Sequence, residues 1–131
     1  MKYLLTIYSD ESRWAEATPQ DLQQMMSDYD AFTREATAAG VMLGGEGLSP
    51  TSTATTVRVR GDDVLTSDGP FAETREQLGG YYLIDCGDEE EAIGWAARIP
   101  GARHGAIEVR PVMDYEAAGG DRDVHSREVV R

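Results

Sequence analysis

Tyr81-Tyr82-Leu83-Ile84-Asp85-Cys86-Gly87-Asp88-Glu89-Glu90-Glu91-Ala92-Ile93-Gly94-Trp95-Ala96-Ala97-Arg98-Ile99-Pro100 reads as a strand running directly into a helix. The apolar and aromatic run ends at Cys86, as a buried strand requires. Asp88 is placed to cap the helix, Glu91 follows three residues on, and the acidic first turn suits the positive end of the helix dipole. Ala92, Trp95, Ala96 and Ile99 recur at helical spacing and form the expected buried face, and Pro100-Gly101 closes the element. Downstream, Ala106 to Val112 alternates, with Ile107 and Val109 against Glu108 and Arg110, which predicts a last strand.

The same strand–helix pairing opens the chain. Lys2 to Tyr8 is a short run stopped by Ser9-Asp10, with Tyr3, Leu5 and Ile7 on one face and Leu4, Thr6 and Tyr8 on the other. A polar segment holding Trp14 follows. Thr18-Pro19-Gln20-Asp21 then combines a capping hydroxyl, a proline at the first helical position and a reciprocal carboxylate. Leu22, Met25, Met26, Tyr29, Phe32, Thr33 and Ala36 mark the inner face of that helix, and Ala39-Gly40 ends it. Between the two halves lie a short strand, Val41–Leu43, a glycine run, Gly44-Gly45-Glu46-Gly47, and a polar connection from Leu48 to Ala54. Thr55 to Arg60 alternates into a Gly61-Asp62-Asp63 turn and Val64-Leu65-Thr66, a hairpin. Asp68 to Gly80 reads as a polar loop of thirteen residues, long enough to suggest a functional segment.

Two helices cannot cover both faces of such a sheet. The order therefore predicts a ferredoxin-like α+β layer with both helices on one side. The other face would carry Leu4, Thr6, Tyr8, Thr56, Arg58, Arg60, Glu108 and Arg110, too apolar for water and too charged for a dry core. A symmetric homodimer, sheet against sheet around a polar-lined cavity, satisfies that surface.

Composition narrows the function classes. The chain has 131 residues, 40% hydrophobic and 27% charged, the profile of one globular domain. Twelve Lys+Arg against 24 Asp+Glu give a net charge of −12, which repels nucleic acid and anionic membrane surfaces. One cysteine excludes an internal disulfide and fits a cytoplasmic location; no run has the length of a membrane span, and the N-terminus lacks a signal-peptide pattern. The domain is expected over residues 1–113, with 114–131 as a C-terminal tail poor in apolar residues.

Asp68-Gly69-Pro70-Phe71-Ala72-Glu73-Thr74-Arg75-Glu76-Gln77-Leu78-Gly79-Gly80-Tyr81 resembles the signature of the DGPF-type branch of the YCII-related protein family. Met1–Leu5, Thr53–Arg58, Trp95–Pro100 and Glu108–Pro111 agree with it, so the resemblance covers residues 1–113. It implies a ferredoxin-like fold assembled as a dimeric α+β barrel, in bacterial proteins of mostly unestablished activity, some encoded beside extracytoplasmic-function sigma factors. Some members of the wider family carry a histidine on the first helix and an aspartate near the sheet as a proposed acid–base pair. Counting back from Gly40 puts that histidine position near Tyr29, and the chain has no histidine before His104. Asp68 remains available as the aspartate.

Asp68 is thus one candidate acid or base, against the plainer reading of a turn residue; Glu73 and Glu76 would raise its pKa and Arg75 would lower it. Tyr29 is a candidate proton donor and Tyr8 a candidate ligand-binding residue, while such tyrosines can equally fill a strand or helix face. Arg58 and Arg110, with Arg75 from the signature, are candidate clamps for a small anionic ligand, or simply members of cross-strand ion pairs. Cys86 reads as a buried structural thiol. His104 and His125 lack partners at metal-ligand spacing, and the glycine run lacks the fingerprint of a nucleotide loop, so neither a metal nor a cofactor is expected. Two functions fit: a cofactor-independent isomerase- or lyase-type enzyme using Asp68 and Tyr29, or a ligand-binding or regulatory module, with sigma-factor association implied by the resemblance. A structural dimer with an incidental cavity is the plainest third.

Overall fold

The computed structural model describes residues 1–116. Its elements are β1 (Lys2–Ser9), α1 (Ser12–Ala15), α2 (Pro19–Ala38), β2 (Met42–Gly47), β3 (Thr55–Arg60), β4 (Asp63–Asp68), β5 (Gln77–Asp85), α3 (Glu89–Ala97) and β6 (Ala106–Pro111), with short 3-10 turns at Thr51–Thr53 and Pro100–Arg103. Four strands form an antiparallel sheet in the order β2-β5-β1-β6, while β3 and β4 pair only with each other. The protein is a mixed α+β fold, and this strand order is compatible with the ferredoxin-like plan.

Alternation in β1 decides which face is covered. Tyr3, Leu5 and Ile7 are buried and Leu4, Thr6 and Tyr8 are half-buried. Cross-strand register puts Tyr82, Ile84, Ile107 and Val109 on the covered face. Phe32 and Ala36 of α2 and Ala92 and Ala96 of α3 close over it, with Ile99. Phe32 packs against Tyr82 (centroids 4.9 Å) and edge-on against Trp95 (6.2 Å), and the Arg98 guanidinium lies 4.5 Å over the Trp95 ring. Arg98 also pairs with Glu35, tying the two helices together.

Both helix starts form as their sequences require. Thr18 Oγ1 accepts from the Asp21 amide (3.1 Å) while Asp21 accepts from the Thr18 amide (3.0 Å), a full capping box. Asp88 accepts from the Glu91 amide (2.9 Å), but the Glu91 carboxylate takes the Gly87 amide instead of the cap's own. Cys86 is buried, and burial raises its thiol pKa.

Several expectations need correction. The segment holding Trp14 contains the one-turn α1. Leu22 and Met26, placed on the inner face of α2, are exposed, Met26 by 65%, because the first half of α2 overhangs the sheet. Strand β2 continues through the glycine run, where an added Cβ at Gly45 would lie 2.6 Å from the Tyr81 carbonyl oxygen and 2.6 Å from the Tyr82 ring. Strand β5 starts at Gln77 and β4 ends at Asp68, so the long loop shrinks to eight residues, 69–76. The hairpin forms as expected but outside the four-stranded sheet. Thr56, Arg58 and Arg60 therefore do not share a sheet face with Glu108 and Arg110. Of the expected tail, only residues 114–116 are described; 117–131, with His125, lie outside the described residues.

Candidate functional site

Antiparallel pairing gathers several segments at one end of the sheet. Tyr8 of β1 faces Ala106 of β6 on one side and Leu78 of β5 on the other. The chain leaving β1 into α1, the overhanging start of α2 and the Pro100–Arg103 turn therefore meet there. They enclose a cleft of about 400 Å³ whose lining includes Asp10, Arg13, Trp14, Tyr29, Arg103 and His104. Gly105 allows the closest approach: a Cβ there would overlap the Tyr8 carbonyl oxygen.

Tyr29 is the one sequence-predicted site residue in this lining. It is half-buried, and loss of hydration raises its phenol pKa, partly offset by the Gly101 backbone. The phenol thus keeps its proton. Arg13 Nη1 donates to the His104 carbonyl (3.3 Å), and Nη2 lies 3.5 Å from His104 Nδ1. A guanidinium can only donate, so this contact takes Nδ1 as the acceptor, the tautomer with the ring proton on Nε2. Ser12 donates to Asp10 Oδ1 from its hydroxyl (2.6 Å) and its amide (2.9 Å), which lowers the Asp10 pKa; Arg75 and Arg13 act in the same sense. Arg75 of the segment between β4 and β5 is thus near enough to be felt by Asp10, though it is not part of the cleft lining.

A second link runs from that segment to α1. Gln77 Oε1 accepts from the Glu11 amide (2.9 Å), and its Nε2 donates to the Thr74 carbonyl. The Glu11 carboxylate accepts from the Thr51 amide and hydroxyl, both at 2.9 Å. Glu11 thus fixes the start of α1, and with it Arg13 and Trp14.

The remaining predicted residues sit elsewhere. Asp68 ends β4, exposed and, among the described residues, with no side-chain hydrogen bond; Gly69 beyond it has φ +93° and donates to the Ala54 carbonyl (2.7 Å). Asp68 shares a hairpin face with Val57, Val59 and Val64, whereas Arg58 faces the opposite way beside Leu65. Arg110 is exposed on the open sheet face, opposite Leu4, and Tyr8 is half-buried on that same face. Asp68, Arg58 and Arg110 are therefore not brought together within one chain. Sequence reading passed over Arg13 and Arg103, named Trp14 only within a polar segment and weighed His104 only as a metal ligand; the usable signal was that the residues just after β1 and just before β6 must meet once those strands pair antiparallel. Among the described residues, no group of three metal-ligating side chains is present, and no helix is long and apolar enough to cross a membrane.

An antiparallel four-stranded sheet covered by α2 and α3 is a mixed α+β class. The chain belongs to the YCII-related domain family, which it matches over residues 1–116. It is 37% identical over 118 residues to an uncharacterised protein of Rhizobium meliloti (strain 1021), covering 88% of this chain and 95% of that protein.

Proposed function

We propose that this protein binds a small organic molecule through a carboxylate group in the cleft between α1, α2 and the Pro100–Arg103 turn, and works as a homodimer. One observation carries the reading. Arg13, Arg103, the Nε2–H of His104 and the protonated Tyr29 line one cavity, a set of hydrogen-bond donors suited to a carboxylate. Catalysis of the isomerase or lyase type would also need a base that withdraws a proton. Asp10 is held ionised by Ser12 and two arginines and so is a weak base. Asp68 lies outside the cleft lining and would need a second chain to enclose it. Ligand binding, including a sensing role beside a sigma factor, is accordingly the better-supported function.

The homodimer is supported by the exposed apolar side chains of the hairpin and by the half-apolar open face of the sheet. Titration with butyrate, succinate and benzoate, followed by the ring signals of His104, tests the binding site. Binding with shifts at His104, weakened about tenfold or more by Arg103→Gln, is the expected outcome. Saturable binding that leaves His104 unmoved, or no binding of any of the three, would sink it.

A further inference from the structure

The cleft lining carries charges of both signs. Arg13, Arg103 and His104 come from the segments flanking β1 and β6, as does Asp10; Asp21 and Asp28 lie along α2, and Glu16 follows α1. Asp21, Gln24, Met25 and Asp28 are spaced i, i+3, i+4 and i+7, so they share one helix face. The first basic residue of α2 is Arg34, too far along to neutralise them.

Among the described residues, these opposite charges do not pair across the cleft: the salt bridges present join Asp85 to the N-terminal amine and Glu35 to Arg98. Each helix carboxylate also keeps an oxygen in reserve. Asp21 uses Oδ2 for the Thr18 amide, and Asp28 uses Oδ1 for the Gln24 side-chain amide (2.9 Å). Trp14 and Met25 also line the cleft and offer apolar surface.

We infer that the ligand is a zwitterion, an amino acid or a short ω-amino acid, with its carboxylate at Arg13, Arg103 and His104 and its ammonium at Asp28 and Asp21. The inference rests on the proposed carboxylate site and adds the second charge. A simple anion would meet the carboxylates of Asp10, Glu16, Asp21 and Asp28, and a simple cation the two arginines; a molecule bearing both signs satisfies both sets, with its hydrocarbon spacer against Trp14 and Met25.

Calorimetric titration of the full chain with leucine, γ-aminobutyrate and ε-aminocaproate, against isocaproate, butyrate and caproate as the matched acids lacking the amine, tests it. At least one zwitterion should bind about fivefold or more tightly than its matched acid, the gain of one charge-assisted hydrogen bond. Asp28→Asn should narrow that ratio to below about twofold, whereas Asp62→Asn on the hairpin turn should preserve it. Acids that bind as tightly as every zwitterion, or a ratio that survives Asp28→Asn, overturn the inference while leaving the carboxylate site standing. Failure of acids and zwitterions alike removes both.

Discussion

Two regions built from the same kinds of side chain meet opposite fates. In the four-stranded sheet, Leu5 and Ile84 are fully buried beneath α2 and α3. In the β3–β4 hairpin, Val57 and Val59 are 58% exposed and Val64 is 66% exposed, with no helix above them among the described residues. The sheet finds its stabilising partners within the chain. The hairpin holds its shape through backbone pairing and the Gly69–Ala54 hydrogen bond, and among the described residues its apolar face stays exposed. An isolated two-stranded ribbon is marginal in water. The contrast teaches that alternation alone does not say whether an apolar face is filled locally or by another molecule.

The largest effect that sharpens this contrast is in the sheet. Ile84→Ala should lower unfolding stability by about 3 kcal/mol, read from the urea midpoint, because the cavity left under two helices cannot collapse. Gly105→Ala should cost about 2 kcal/mol, since the new methyl group overlaps the Tyr8 carbonyl and must push the cleft end of β6 away from β1. A variant as stable as the parent would show that this close approach is soft.

The third effect depends on pH. Burial raises the Tyr29 pKa, so the folded chain keeps a proton that the unfolded chain has lost above about pH 10. Its contribution is full below that pH and fades as pH rises through the folded-state value. Tyr29→Phe should therefore make the alkaline decline of the urea midpoint shallower, with Tyr3, also raised by desolvation, supplying part of what remains. The smallest effect belongs to the hairpin: replacing Val57 and Val64 together by lysine should change single-chain stability by less than about 0.5 kcal/mol. The same pair should abolish self-association in sedimentation velocity. A large loss of stability, with association intact, would erase the distinction between the two regions.

Much of the fold was legible because its signals are local. Alternation in β1 and β6, the Thr18–Asp21 box and the Asp88 cap each declare an element within a few residues, and each formed. The misreadings involve distant partners. Gly44 to Gly47 and Gly79-Gly80 resemble loop residues, yet they are strand; at Gly45 the Tyr81 carbonyl and Tyr82 ring, and at Gly80 the Glu46 carbonyl, come too close for a side chain. The hairpin arginines alternate like those of β6, but nothing local says that β3 and β4 leave the main sheet. Of the cleft, Tyr29 was legible from its place on the inner face of α2. Arg13, Arg103 and His104 were not, because they meet only after β1 and β6 pair.

The side-chain amide of Gln77 has a further consequence. It accepts from α1 with its oxygen and donates to the signature loop with its nitrogen. Glutamate could do only the first, lysine only the second, and asparagine is one methylene too short for the same span. The position is thus closed to each near substitute for a different reason, and a drift in the loop's backbone is relayed to the rim of the cleft through a single planar group.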